Sequence, residues 1–219
     1  MGEYIKLRSK VDDAEFTALH VQPKGPRKGG VIVLQEIFGL DEHMVRDTER
    51  WGDLGFEALA PSLFDRQEPG FVAAHDAEGF ATGRAYLQAN GLENPIDDIS
   101  TCLDYLAPRG PVFVVGYCYG GSLAWLAASK LGDLAAASSY YGSLVLPHAH
   151  AVPRCPVILH FGAEDQHIPV EKVKEFAAAR PELPVHFYAA GHGFNNQGGP
   201  AADLARERTL ALFAHNGAA

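Results

Sequence analysis

Cys118, Asp165 and His192 are a thiol, a carboxylate and an imidazole, in that order along the chain, each close behind an apolar run. A thiol can attack a carbonyl carbon. A histidine can take the thiol proton and return it to a leaving group, and an acid can fix the imidazole tautomer and stabilise its cation. Cys118 is the centre of Gly116-Tyr117-Cys118-Tyr119-Gly120, between the β-branched run from Val112 and a helix-like stretch to Lys130. Strand, sharp turn and helix around Gly-x-Cys-x-Gly is the pattern of a nucleophile elbow, with sulfur in place of the usual serine oxygen. Gly116 and Gly120 fall where larger residues would collide as strand meets helix. The helix start aims free N–H groups at the turn, which favours a thiolate and, later, an oxyanion. The competing reading is a glycine-rich turn around an inert, buried cysteine.

The two partners carry weight through their placement. Asp165 stands in the polar loop Phe161-Gly162-Ala163-Glu164-Asp165-Gln166-His167, where it could equally be a turn or cap residue and where Glu164 is a neighbouring acid. His192 is flanked by Gly191 and Gly193, which suits a tightly packed loop. The order nucleophile, acid, histidine is that of α/β-hydrolases. His148 and His150 form a His-x-His pair without a further ligand pattern, so a surface loop is expected and no metal. His167 could line a cleft beside Asp165. His43, His75, His160 and His186 give no specific signal.

Strands and helices must position these groups. Tyr4–Leu7 and Glu15–Val21 read as strands joined at Val11-Asp12-Asp13, followed by a loop over 22–29. Gly30–Glu36 is a continuous apolar run ending in polar residues, as a strand buried on both faces would be. Asp41 caps a helix to about Leu54, with Met44, Val45, Trp51 and Leu54 inward. Phe56–Ala60 is a strand stopped by Pro61, and Ser62–Gly70 a loop. Ala73–Ala89 is weakly helical and broken by Gly79 and Gly83. Ile96–Leu106 is a helix. After the elbow come strands at Leu134–Tyr141, Pro156–Phe161 and Val185–Ala190, and helices at Val170–Ala179 and Ala201–Ala214. The alternation predicts one α/β domain over 1–219: a mostly parallel, doubly wound sheet with helices on both faces. Ligands of such sheets bind beyond the carboxyl ends of strands, where Glu36, Cys118, Asp165 and His192 fall.

Bulk properties narrow the function. A net charge of -9 argues against nucleic acid and against anionic membranes as partners. No stretch approaches the ~18 continuous apolar residues of a membrane span, and the N-terminus lacks the apolar core of a secretory signal. The three cysteines are odd in number and far apart, so neither a disulfide framework nor a cysteine zinc site is expected. Cys102 and Cys155 read as small core residues. A reducing cytoplasm is the expected setting.

Several segments carry a family resemblance: Gln35-Glu36-Ile37-Phe38-Gly39, Gly55-Phe56, Ala60-Pro61-Ser62-Leu63-Phe64, Gly116-Tyr117-Cys118-Tyr119-Gly120-Gly121, Tyr140-Tyr141-Gly142 and Gly191-His192-Gly193-Phe194. From about Gly30 onward the chain resembles the dienelactone hydrolase family. The resemblance implies an α/β-hydrolase fold and a Cys–His–Asp triad of Cys118, His192 and Asp165. It implies that Glu36 lies beside the thiol and helps hold or remove its proton, and that the Ile37 and Tyr119 N–H groups form the oxyanion hole. It also implies a monomer. Members of the family grip a substrate carboxylate with two arginines. One lies just after the His-x-Phe segment, where this chain has Asn195-Asn196. For the other only Arg84 is nearby, with Arg66 a further cation to place. Phe38, Tyr86 and Asn196 complete the expected substrate contacts.

The resulting expectation is a hydrolase of lactone or carboxylic ester bonds that needs no cofactor and acts on a small molecule, without the family's best-known preference for an anionic lactone. The rivals are a thioesterase, broad carboxylesterase or peptide-bond hydrolase on the same triad, and a non-catalytic binding module on a hydrolase fold.

Overall fold

The computed structural model describes residues 2–219. β1 (Glu3–Arg8) and β2 (Glu15–Val21) form an antiparallel hairpin, and β2 pairs antiparallel with β4 (Phe56–Pro61). From β4 onward the neighbours run parallel: β3 (Gly29–Leu34), β5 (Val112–Tyr117), β6 (Ala136–Tyr140), β7 (Val157–Gly162) and β8 (Val185–Tyr188). The strand order is β1-β2-β4-β3-β5-β6-β7-β8. Every residue of β3 through β7 is buried, which explains their mostly small and apolar sequences, with Glu57 of β4 and His160 of β7 as buried exceptions. The chain leaves β3 outward to β4 and returns across β3 to β5. A crevice therefore opens at the carboxyl ends of β3 and β5.

The helices are α1 (Glu42–Asp53), α2 (Ala77–Asn90), α3 (Glu93–Leu106), α4 (Tyr119–Lys130), α5 (Val170–Ala179), α6 (Phe194–Gln197) and α7 (Pro200–His215). Trp51 of α1 and Phe213 of α7 share an aromatic cluster with Phe56 and Phe113 of the sheet. Trp125 of α4 instead meets Phe176 of α5 edge to face. Asp41 caps α1 as expected, its carboxylate accepting from Met44 N at 2.8 Å. Met44 and Trp51 are buried, while Val45 and Leu54 are only half-buried. Asp47 and Thr48 are buried in addition. Asp47 is tolerated there because Arg206 of α7 donates to it at 2.9 Å and Tyr117 Oη at 2.6 Å.

Several boundaries differ from the sequence expectation. Pro61 is the last residue of β4, β6 stops at Tyr140, and β8 stops at Tyr188. α3 starts three residues earlier than expected. The four-residue α6 was not expected at all. The largest correction is α2, which runs unbroken through Gly79 and Gly83. Gly83 is a packing residue there, not a breaker. A Cβ on it would lie 2.2 Å from Ile37 O, so the helix backbone rests directly on the loop after β3.

Candidate active site

The elbow is a backbone constraint before it is a chemical group. Cys118 has φ 53° and ψ −109°, a conformation that costs about 1–3 kcal/mol for a non-glycine residue. The surroundings enforce it. Cys118 N donates to Tyr140 O at 3.0 Å, Ser122 N to Cys118 O at 3.0 Å, and Gly120 N to Gln35 O at 2.9 Å. A Cβ on Gly116 would sit 2.0 Å from Gly120 O, and one on Gly120 would sit 2.3 Å from Leu34 O. Only glycines allow strand and helix this close.

Asp165 and His192 reach the elbow from the ends of β7 and β8. His192 Nδ1 and Asp165 Oδ2 are 2.7 Å apart. The other Asp165 oxygen accepts from His167 N at 2.7 Å and Ile168 N at 3.0 Å, so the carboxylate cannot turn away. Burial by itself would raise the Asp165 carboxyl. The hydrogen bond and charge of His192 and the two backbone N–H groups outweigh it and hold the group below the usual aspartate range. The neighbouring Glu164 is exposed.

Glu36 follows β3 and is 6% exposed. Tyr141 Oη donates to its Oε1 at 3.1 Å. Burial pushes the Glu36 carboxyl above its ordinary value, against the opposing pull of the Tyr141 bond and the His192 charge. The Cys118 thiol is raised too, first by burial and then by the negative charge of Glu36. The Tyr119 N–H works in the other direction. The helix-start donors favour the thiolate, but desolvation and the nearby carboxylate outweigh them and favour the protonated thiol.

These groups face one cavity of about 640 Å³. Glu36, Cys118 and His192 line it, as do Ile37 and Tyr119. Of the expected substrate contacts, Phe38, Arg84 and Asn196 line it too. Tyr86 does not. Its ring packs on Phe64 and Phe71, and its hydroxyl donates to Glu68 at 2.6 Å. Arg66 is likewise drawn away, into pairs with Asp12 and Asp98. Arg84 is exposed and has no carboxylate partner among the described residues. Asn195 is buried and accepts from Arg206 at 3.0 Å, so only Asn196 of that pair meets the cavity.

Several cavity residues were not singled out as substrate contacts from sequence, His75 and Leu144 among them. His75 stacks on Phe38 with ring centroids 3.9 Å apart and lies 2.6 Å from Asp41 Oδ2. Leu144 follows β6 and adds apolar wall. The only available signal for His75 was its place ahead of α2, and nothing local says that Gly39 and Val72 pair to bring that segment over the site.

The sheet order, the elbow and the strand-end groups define an α/β-hydrolase fold. The dienelactone hydrolase family model matches residues 16–217, and the chain belongs to that family. It is 34% identical over 232 residues to a carboxymethylenebutenolidase of Pseudomonas putida, covering 98% of this chain and 97% of that one. It is 31% identical over 201 residues to carboxymethylenebutenolidase 1 of Cupriavidus pinatubonensis, covering 84% and 85%. A solved candidate dienelactone hydrolase from Klebsiella pneumoniae superposes with a TM-score of 0.83 at 25% identity, covering 98% and 99%. Membership makes the chain a hydrolase.

Proposed function

We propose that this enzyme hydrolyses lactones or carboxylic esters of small molecules by covalent catalysis at Cys118. The observation that carries the reading is the 2.7 Å bond between His192 Nδ1 and Asp165 Oδ2, on a cavity also lined by the elbow cysteine. The names of the Pseudomonas and Cupriavidus relatives support a lactone as one substrate.

In this reaction the thiol proton leaves as substrate arrives, with Glu36 and His192 as the bases at hand. Sγ forms a bond to the carbonyl carbon, and the π pair moves to oxygen. The N–H groups of Ile37 and Tyr119 bind that oxyanion. The intermediate collapses, the C–O bond breaks, and His192 returns the proton to the leaving alkoxide. Water then attacks the thioester while His192 takes its proton. The acid leaves, and the thiol is re-formed. Asp165 holds Nδ1–H throughout, so that Nε2 is the nitrogen that exchanges protons. A neutral resting thiol suits this scheme, because it is unreactive until substrate displaces the local proton balance. Three free cysteines fit work in a reducing cytoplasm.

Cys118→Ala tests the mechanism: hydrolysis of a lactone and of p-nitrophenyl acetate should vanish while the thermal unfolding midpoint stays close to wild type. Full residual activity would overturn it. For substrate breadth, the inward Asn195 and neutral Asn196 leave Arg84 as the only arginine in the cavity wall. One arginine gives less carboxylate selectivity than two converging on the same carboxylate. Near-equal kcat/KM for an anionic dienelactone and a neutral ester is expected, and a strong preference for the anion would refute this point. Thioesters and peptides in the same panel separate the remaining acyl-transfer alternatives.

A further inference from the structure

Gln35 is fully buried and has no place in the chemistry described so far, yet its side-chain amide and its carbonyl bind backbone groups of the Glu36–Ile37 peptide, the loop after β4 and the start of α4. Its side-chain Nε2 donates to Glu36 O at 3.2 Å, and its Oε1 accepts from Leu63 N at 3.1 Å. Its main-chain oxygen accepts from Gly120 N at 2.9 Å. The Glu36 oxygen belongs to the same peptide unit as the Ile37 N–H. All peptide bonds of the described residues are trans, and in a trans peptide C=O and N–H point to opposite sides. A hold on the Glu36 oxygen from the interior therefore turns the Ile37 N–H outward, to the side on which Ile37 lines the cavity. Gly120 in turn directly follows Tyr119, the residue that offers the other N–H.

We propose that Gln35 is the positioning residue of the oxyanion hole: its side-chain amide sets the plane of the Glu36–Ile37 peptide, while its carbonyl fixes the adjacent turn of α4. This rests on the hydrolase reading given above. Two features support a dedicated role over mere core filling. The amide is satisfied at both ends by backbone groups, so rotating or replacing it leaves a buried carbonyl or N–H without a partner. Gly83 of α2 lies against Ile37 O, so the next peptide is held by a different element. Two successive carbonyls are thus pinned by different elements, and the N–H between them has little freedom. Preorganised donors of this kind count most in the transition state, since they need not reorient as charge develops.

Gln35→Met keeps the volume and removes both polar ends. With p-nitrophenyl acetate, kcat is expected to fall about 10- to 100-fold with KM within about threefold, less than the loss of a whole oxyanion donor. The Ki of a methyl trifluoromethyl ketone should rise by about the same factor as kcat falls. Alkylation of Cys118 by iodoacetamide builds no oxyanion and should keep its wild-type rate. An unchanged kcat would overturn the proposal, as would kcat and alkylation falling together, which would mean a generally distorted elbow. If Gln35→Met does not fold, the wild-type protein decides through a crystal structure of its trifluoromethyl ketone adduct. The expected result is the adduct oxygen on Ile37 N–H with Gln35 Nε2 still on Glu36 O, and an adduct oxygen bound elsewhere would overturn the assignment. Failure of covalent catalysis at Cys118 is seen separately, as retained activity in Cys118→Ala.

Discussion

The hydroxyl of Tyr141 donates to the Glu36 carboxylate at 3.1 Å, and among the described residues it is the one side-chain donor to that group. A hydrogen bond to the charged form lowers a carboxyl pKa, so this contact moderates the rise that burial causes. Tyr141→Phe should let Glu36 keep its proton to higher pH. The acidic limb of the kcat/KM profile is then expected to move upward, with activity at pH 6 falling more than activity at pH 9. A limb that stays in place would show that Glu36 takes no part in the proton balance.

Glu36 also sets a pH dependence of stability. Its folded pKa lies above the ordinary value of 4.5, so the folded state binds a proton that the unfolded chain has released. Stability contributed this way is lost as pH rises from 4.5 through the raised value. Glu36→Gln is permanently neutral. It should unfold a few degrees higher than wild type at pH 8, about 2–4 °C for each kcal/mol recovered. The advantage should shrink as pH falls toward 4.5, while hydrolysis is impaired at every pH. Thermal scans at several pH values check both halves.

Gly83→Ala adds one methyl group where Ile37 O is already 2.2 Å away. The helix or the loop must shift. Overpacking of this size costs about 1–3 kcal/mol. Because the displaced peptide borders the oxyanion donor, kcat should fall by more than the stability loss explains. Denaturant melts alongside steady-state kinetics separate the two effects.

How much of this was legible beforehand depended on whether the cause was local. The strand-end positions of Cys118, Asp165 and His192 could be read because each follows a strand, and the ends of β5, β7 and β8 lie on one side of the parallel sheet. Gly83 was misread because propensity sees a helix breaker, whereas its reason is a carbonyl more than forty positions away in sequence. Tyr86 was placed on the substrate side because a helix register cannot be fixed when its apolar face is weakly defined. Asn195 and Asn196 are adjacent and chemically identical, and a single turn of helix sends one to the core and the other to the cavity. The Cys118 thiol divides in the same way: helix-terminus donors are visible in sequence, but the desolvation that opposes them is not.

Asp47→Ala would leave Arg206 buried without its carboxylate and Tyr117 without an acceptor. Removing one partner of a buried ion pair costs about 3–5 kcal/mol. A loss of that order in urea unfolding is expected. A loss below ~1 kcal/mol would mean that water replaces the carboxylate there.

That same Arg206 holds Asn195, three residues beyond His192, so the imidazole's loop hangs from α7. The consequence concerns the order in which the site is assembled. α7 is made after Cys118, Asp165 and His192. Before it docks, the histidine loop is held from the sheet side alone, by Asp165 on His192 and by Phe194 against Tyr140 and Tyr141. The last helix adds the Arg206–Asn195 bond and so completes the support of the loop without contributing a group to the cavity.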